Sequence, residues 1–245
     1  MILFLIGYFW WPLLDAYLRY FQVLDEWWRY IDWLLIGIFL FMSVMLMAGA
    51  DLKVDAWIIF VGFGGGLVIE SWGTQTELWT YYTMERPPLW IIPAWPIASL
   101  SIDRMVRVLD HMTGQKQRAP FEVLYWLIFP AFFALMLIFV WPTVDQSMTI
   151  MALFMVAAFI LTPTDHRMAV LTFVAGIGLG YFLELWGTTR LCWTYYTGEQ
   201  PPFFAVMAHG MAAVAFWRTV LLVKLATSLS VERVPLLRGL FGSSA

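Results

Sequence analysis

Apolar residues run along this chain in stretches of about twenty, separated by short polar connections that carry most of its charge. A helix of about 20 apolar residues crosses the hydrocarbon core of a bilayer. On that measure the runs predict spans at 2–21, 31–49, 54–72, 88–109, 121–141, 145–162, 168–186 and 202–225. The expected fold is all-α, a polytopic transmembrane helix bundle of about eight spans. Pro12, Asp15 and Arg19 interrupt the first run, although Asp15 and Arg19 stand four apart and can pair on one helix face. A re-entrant first segment would leave seven spans. The opening Met1–Leu14 stretch has no basic flank and no small-residue cleavage site, so it is expected to be retained as part of the first span.

The chain repeats itself. Shifted by 114 residues, Glu70–Pro88 falls on Glu184–Pro202 with twelve of nineteen positions identical, giving E-x-W-G-T-x4-W-T-Y-Y-T-x-E-x-P-P. The same shift pairs Asp51 with Asp165, Lys53 with Arg167 and Arg104 with Arg218, and lays Gly62, Gly64 and Gly66 on Gly176, Gly178 and Gly180. A pattern of that length, rich in tryptophan, marks internal duplication. The predicted organisation is a transmembrane repeat at 1–114, a second at 115–228, and a cytoplasmic surface tail at 229–245. Four spans per repeat return the chain to its starting side. The two four-helix repeats are therefore expected to be parallel, about a pseudo-twofold axis along the membrane normal.

Composition agrees with a lipid solvent: 62% of residues are hydrophobic and 13% charged, and the mean hydropathy is +0.76. With a net charge of -3 and basic residues scattered at span ends, nucleic acid is excluded as a partner. If there are eight spans, ten Lys and Arg residues lie on one side and four on the other (Arg19, Arg29, Arg86 and Arg190). The positive-inside rule then puts both termini in the cytoplasm and both tryptophan motifs at the outer face of a cell (inner) membrane. Cys192 is the only cysteine, which excludes an intrachain disulfide and a multi-cysteine cluster. His111, His166 and His209 form no cluster in sequence; His209 reads as a hydrogen-bonded core residue more readily than as a haem ligand. No metal or cofactor is expected.

Candidate chemistry sits in the repeated motif. Glu70 and Glu184 end the third and seventh spans, where an ionisable side chain is a functional candidate by default, with structural hydrogen bonding inside its own motif as the alternative. Trp72, Trp79, Tyr81, Tyr82, Trp186, Trp193, Tyr195 and Tyr196 suit an interfacial aromatic belt. Because the whole W-T-Y-Y-T string recurs, a shaped pocket for an apolar ligand is the better reading. Gly62 and Gly66, like Gly176 and Gly180, fall on one helix face and predict close packing, with the third and seventh spans as central contacts on the pseudo-twofold axis. Asp51 and Asp165 are placed to cap helices. Arg104 and Arg218 read as cytoplasmic anchors, and Pro87-Pro88 and Pro201-Pro202 as loop ends that start the next helix. No Asp-Asp-x-x-Asp motif is present to hold a magnesium diphosphate.

A span-ending glutamate, a Gly-Thr, a Tyr-Tyr pair and a following proline together resemble the small integral membrane proteins of carotenoid biosynthesis. Membrane carotenoid hydratases are the nearer likeness, and membrane lycopene cyclases and terpenoid cyclases the more distant. The resemblance covers Glu70–Pro88 and Glu184–Pro202. It implies cofactor-free acid chemistry, in which a carboxylic acid protonates an alkene and the cation is cyclised or captured by water. Glu70 and Glu184 would be the acids, with Tyr82 and Tyr196 nearby. Two equivalent motifs depart from a one-site enzyme. They suit equally a non-catalytic subunit that binds a pigment, quinone or lipid within a larger membrane complex, so whether the chain is an enzyme stays open. Expected partners are membrane lipids, an apolar ligand such as a carotenoid, quinone or other isoprenoid, and membrane-complex subunits.

Overall fold

The computed structural model describes residues 31–114 and 119–233, with Tyr8, Trp11 and Asp15. Of the predicted first span only Tyr8, Trp11 and Asp15 are described; the repeat boundary at 114/115 adjoins undescribed residues, and of the predicted tail at 229–245 only residues up to Arg233 are described, as the end of the helix Phe203–Arg233. The described residues form seven helices, α1 (Trp33–Met47), α2 (Leu52–Gln75), α3 (Ala94–Thr113), α4 (Ala119–Val140), α5 (Ser147–Leu161), α6 (His166–Thr189) and α7 (Phe203–Arg233). Two three-residue strands, β1 (Trp79–Tyr81) and β2 (Trp193–Tyr195), pair antiparallel. Among the described residues, four helical stretches are long and apolar enough to cross a membrane: Leu52–Gln75, Pro120–Thr143, His166–Thr189 and Phe203–Ser228. Helices α1 and α5 are apolar but have 15 residues each. That is about 22 Å of helix, short of a hydrocarbon core of about 30 Å. Helix α3 carries Asp103, Arg104, Arg107 and Asp110.

The caps follow from residue chemistry. Asp51 accepts the backbone N–H groups of Lys53 and Val54 at the start of α2, and Asp165 that of Met168 at the start of α6, as their positions predict. Both helices then end alike: the N–H of Leu78 reaches the Gly73 carbonyl and that of Cys192 the Gly187 carbonyl. Glu77 and Leu191, one residue earlier, hold the left-handed conformation that closes a helix this way.

One helix begins later than its sequence suggests. The fourth predicted span, from 88, becomes a series of turns through Pro93, and α3 starts only at Ala94. Pro93 and Pro96 have no N–H to continue a helical ladder from Leu89 and Ile92. Their counterparts in the second copy are Met207 and Gly210, and there α7 begins directly after Pro202.

The paired glycines pack differently from the expectation. A side chain at Gly62 would strike the Pro96 backbone at 2.7 Å, and one at Gly176 the Cα of Gly210 at 2.8 Å. Glycine therefore draws α2 onto α3 and α6 onto α7, within each repeat, and the glycine faces of α2 and α6 do not meet each other. The repeats meet instead through α3 on α6, α2 on α7, and β1 on β2. Gly62→Ala or Gly176→Ala should lower stability by about 1–3 kcal/mol through overpacking, read as a lower thermal midpoint in detergent. Gly64→Ala, where no atom lies within 4 Å of the added methyl, should be tolerated.

Arg104 and Arg218 are buried, at 3% and 6% exposure, and so are not surface anchors. Arg104 donates to the Ala48 carbonyl at the end of α1, and Arg218 to the Phe159 carbonyl and Thr162 hydroxyl at the end of α5. A cation at a helix C-terminus satisfies its orphan carbonyls and opposes its dipole. Only Arg104 has a buried acid, Asp55 at 2.7 Å; the second copy has Ala169 at that position.

Candidate functional site

The motif's spacing is explained by one steric fact. Gly73 has no side chain because the Trp79 indole lies directly against it; a Cβ there would sit 1.9 Å from the ring. Gly187 bears the same relation to Trp193, at 2.0 Å. Folding the strand back across the glycine carries each indole N–H to the glutamate one turn earlier. Trp79 donates to Glu70 Oε2 at 3.0 Å and Trp193 to Glu184 Oε2 at 2.9 Å.

The strands then lock the two copies together. Trp79 stands opposite Tyr195, Thr80 opposite Thr194 and Tyr81 opposite Trp193. Alternate strand residues face one way, so each tryptophan and first tyrosine point to the carboxylates. Their rings meet across the pair, Trp79 with Tyr195 and Tyr81 with Trp193, both at 5.8 Å between centroids. Tyr195 donates to Glu184 Oε1 at 2.9 Å, and Tyr81 lies beside Glu70. Burial, then the neighbouring carboxylates, holds both phenols well above their ordinary range. They remain O–H donors at neutral pH.

The second tyrosines, expected near the acids, face elsewhere. Tyr82 is exposed and packs beside Trp90, while Tyr196 donates to the Phe139 carbonyl at 2.7 Å. The first tryptophan of each motif bonds across the copies: Trp72 to Thr149 at 3.1 Å, and Trp186 to Asp32 at 2.9 Å. Asp32 also caps α1 and takes a hydrogen bond from Arg190. Trp72 lines the site's cavity; Trp186 is a structural clamp away from it.

Nothing matches. No family model, curated protein or solved structure is similar to the chain. The chemistry of the site therefore rests on its own residues.

Two decisive residues lie outside the motif. Trp95 donates its indole N–H to Glu70 Oε1 at 3.0 Å, and His209 Nε2 lies 2.9 Å from Glu184 Oε1. The 114-residue shift that defines the repeat pairs these two positions, and this was the available signal. They also stack on each other, 5.7 Å apart and 18° from parallel. Gly66 and Gly180 make room for them, since a Cβ at either would strike the ring or stem of Trp95 or His209 at 2.4 Å. Both glutamates are thus buried at 3% exposure with each oxygen engaged by a donor, and the copies differ chemically at a single partner.

From this polar head an apolar groove of about 800 Å³ runs down between α2, α5 and α7. Its walls include Phe60, Leu67, Met151, Met155, Phe216 and Val223. Methionine there can adapt to an irregular apolar guest. Along α7 the lining runs from Phe204 to Val223, and the part from His209 to Val223 rises about 21 Å.

Proposed function

We propose that this chain is a multi-pass membrane protein that holds one elongated isoprenoid-type ligand, of the carotenoid or quinone class, in the groove. Its tail would lie among α2, α5 and α7 and its end against the glutamate cage. The observation that carries this reading is the junction of a long, almost wholly apolar groove with one buried polar cluster. Ligand sites of this kind are mostly apolar, with a few placed polar groups that fix orientation. Full engagement of both carboxylates by donors favours binding over turnover. One feature favours a second reading, carboxylic-acid protonation of an alkene: the Glu184–His209 pair, in which a proton can pass between the partners. Detergent-purified protein should carry a stoichiometric apolar compound, detected by absorbance, solvent extraction and mass spectrometry. Loss of that compound on filling the groove with Gly64→Phe, where no atom lies within 4 Å of an added Cβ, would support the site. Purification free of any such compound, together with no uptake of added isoprenoids, would refute it.

In the membrane, the reading places two parallel four-helix units about a pseudo-twofold axis along the normal. Both termini are cytoplasmic and the strand pair lies at the outer face. The reciprocal strand register and the exchanged Trp72 and Trp186 bonds support this arrangement. It can be tested against the native cysteine. Burial, then nearby Asp32, pushes the Cys192 thiol up to about 11, so it should be almost silent to thiol reagents at neutral pH. A cysteine at exposed Glu77 should label from outside intact cells with an impermeant maleimide, and one at exposed Met112 should not. The reverse pattern would invert the topology.

A further inference from the structure

We infer that His209 reads the polar end of the ligand, and that this end is a hydroxyl; the inference rests on the groove being a ligand site. His209 lines the groove, and its Nε2 is held by Glu184. Trp193, Tyr195 and His209 all converge on that glutamate, the hydrogen-bonding pattern of a carboxylate, which only accepts. With Glu184 ionised and the imidazole neutral, Nε2 carries the hydrogen and Nδ1 is a bare acceptor. Among the described residues nothing bonds Nδ1, and it is not among the fully enclosed unpaired atoms. The Cδ2 edge of the ring lies against Gly180 and one face lies on Trp95, which leaves the Nδ1 edge turned away from α6. The first copy offers no such atom, because Trp95 uses its single N–H on Glu70. The cage thus presents one free acceptor at the head of an apolar groove, suited to a ligand that donates. A long-chain isoprenoid alcohol or phenol meets that requirement; a quinone carbonyl or a plain hydrocarbon does not.

Three probes of equal chain length test this on the intact protein in detergent: an isoprenoid alcohol, a prenylated benzoquinone and an isoprenoid hydrocarbon. Quinone binding is read by quenching of tryptophan emission, and the others by displacement of the quinone. The alcohol should bind about tenfold more tightly than the other two, the worth of one hydrogen bond. His209→Phe should abolish that preference. His209→Gln can keep its amide N–H on Glu184 and offer its oxygen to the groove, so the preference should survive; this variant also serves if the phenylalanine variant does not fold. Glu184→Gln should reverse the preference. Its amide nitrogen would donate to Nε2, moving the ring hydrogen to Nδ1 and turning that atom into a donor for a carbonyl. Equal affinities in the wild type, or a preference untouched by His209→Phe, would overturn the role of His209 while leaving the groove standing. Failure of all three probes to bind would overturn both.

Discussion

Removing the Asp55 carboxylate should destabilise the fold by about 3 kcal/mol, the low end of the range for a buried charge that loses a partner, because half-buried Asp103 still faces Arg104. Arg104 is 3% exposed and holds both Asp55 oxygens, at 2.7 and 2.8 Å. In Asp55→Ala the guanidinium keeps only Asp103 and the Ala48 carbonyl. Removing both charges in Asp55→Ala/Arg104→Met should cost less than Asp55→Ala alone, since no buried ion is then stranded. Arg218 gives the internal comparison. It works without a buried acid, on the Phe159 carbonyl, the Thr162 hydroxyl and the Phe159 ring 5.4 Å away. Arg218→Met should therefore be milder, about 1–3 kcal/mol for lost bonds to a charged donor. Urea unfolding of the four proteins in one detergent would measure this. A double variant no more stable than Asp55→Ala would show that the pair acts by packing and not by charge.

The helices, their caps and the two copies of the motif were legible because each is local. Apolar run length locates a helix, an aspartate before it supplies its cap, and a repeat is visible by shifting the chain on itself. The two strands were not legible, since three residues carry no periodic signal and pair only because 114 residues separate identical strings. That pairing decides which tyrosine matters. Tyr81 and Tyr82 look equivalent in sequence, yet strand alternation turns only the first toward Glu70. The packing partner of each glycine face was equally hidden. A pair of glycines four apart declares a close contact and not with what, and the answer lay with Pro96 and Gly210 on the next helix. Trp95 and His209 escaped notice as site residues for another reason. They lie outside the identical string, and their correspondence is one of position, with different side chains.

That substitution makes the two glutamates respond unequally to Glu→Gln, the change that keeps shape and replaces one acceptor oxygen by a donor. At Glu70 each oxygen takes an indole N–H, from Trp79 on one side and Trp95 on the other. Indoles only donate. Whichever way the amide of Glu70→Gln turns, its nitrogen meets an N–H, and a buried donor is left unpaired at a cost of about 1–3 kcal/mol. At Glu184 only Oε2 faces an indole, that of Trp193; Oε1 faces the Tyr195 hydroxyl and His209, both of which can accept. The amide of Glu184→Gln can place its nitrogen there and keep a bond to every partner, although the Tyr195 hydroxyl then accepts and its own hydrogen loses its acceptor. The first substitution should therefore lower the thermal midpoint more than the second. Function should divide the other way. If the Glu184–His209 pair is the proton source, Glu184→Gln abolishes product formation in a fully folded protein, whereas Glu70→Gln retains turnover in whatever fraction stays folded; the opposite pattern would assign the acid to Glu70, which lines the same groove. Equal loss of stability at both sites would remove the hydrogen-bond asymmetry on which this rests. Folded Glu184→Gln and Glu70→Gln proteins with unchanged isoprenoid product profiles would end the acid-catalyst reading and leave the binding protein.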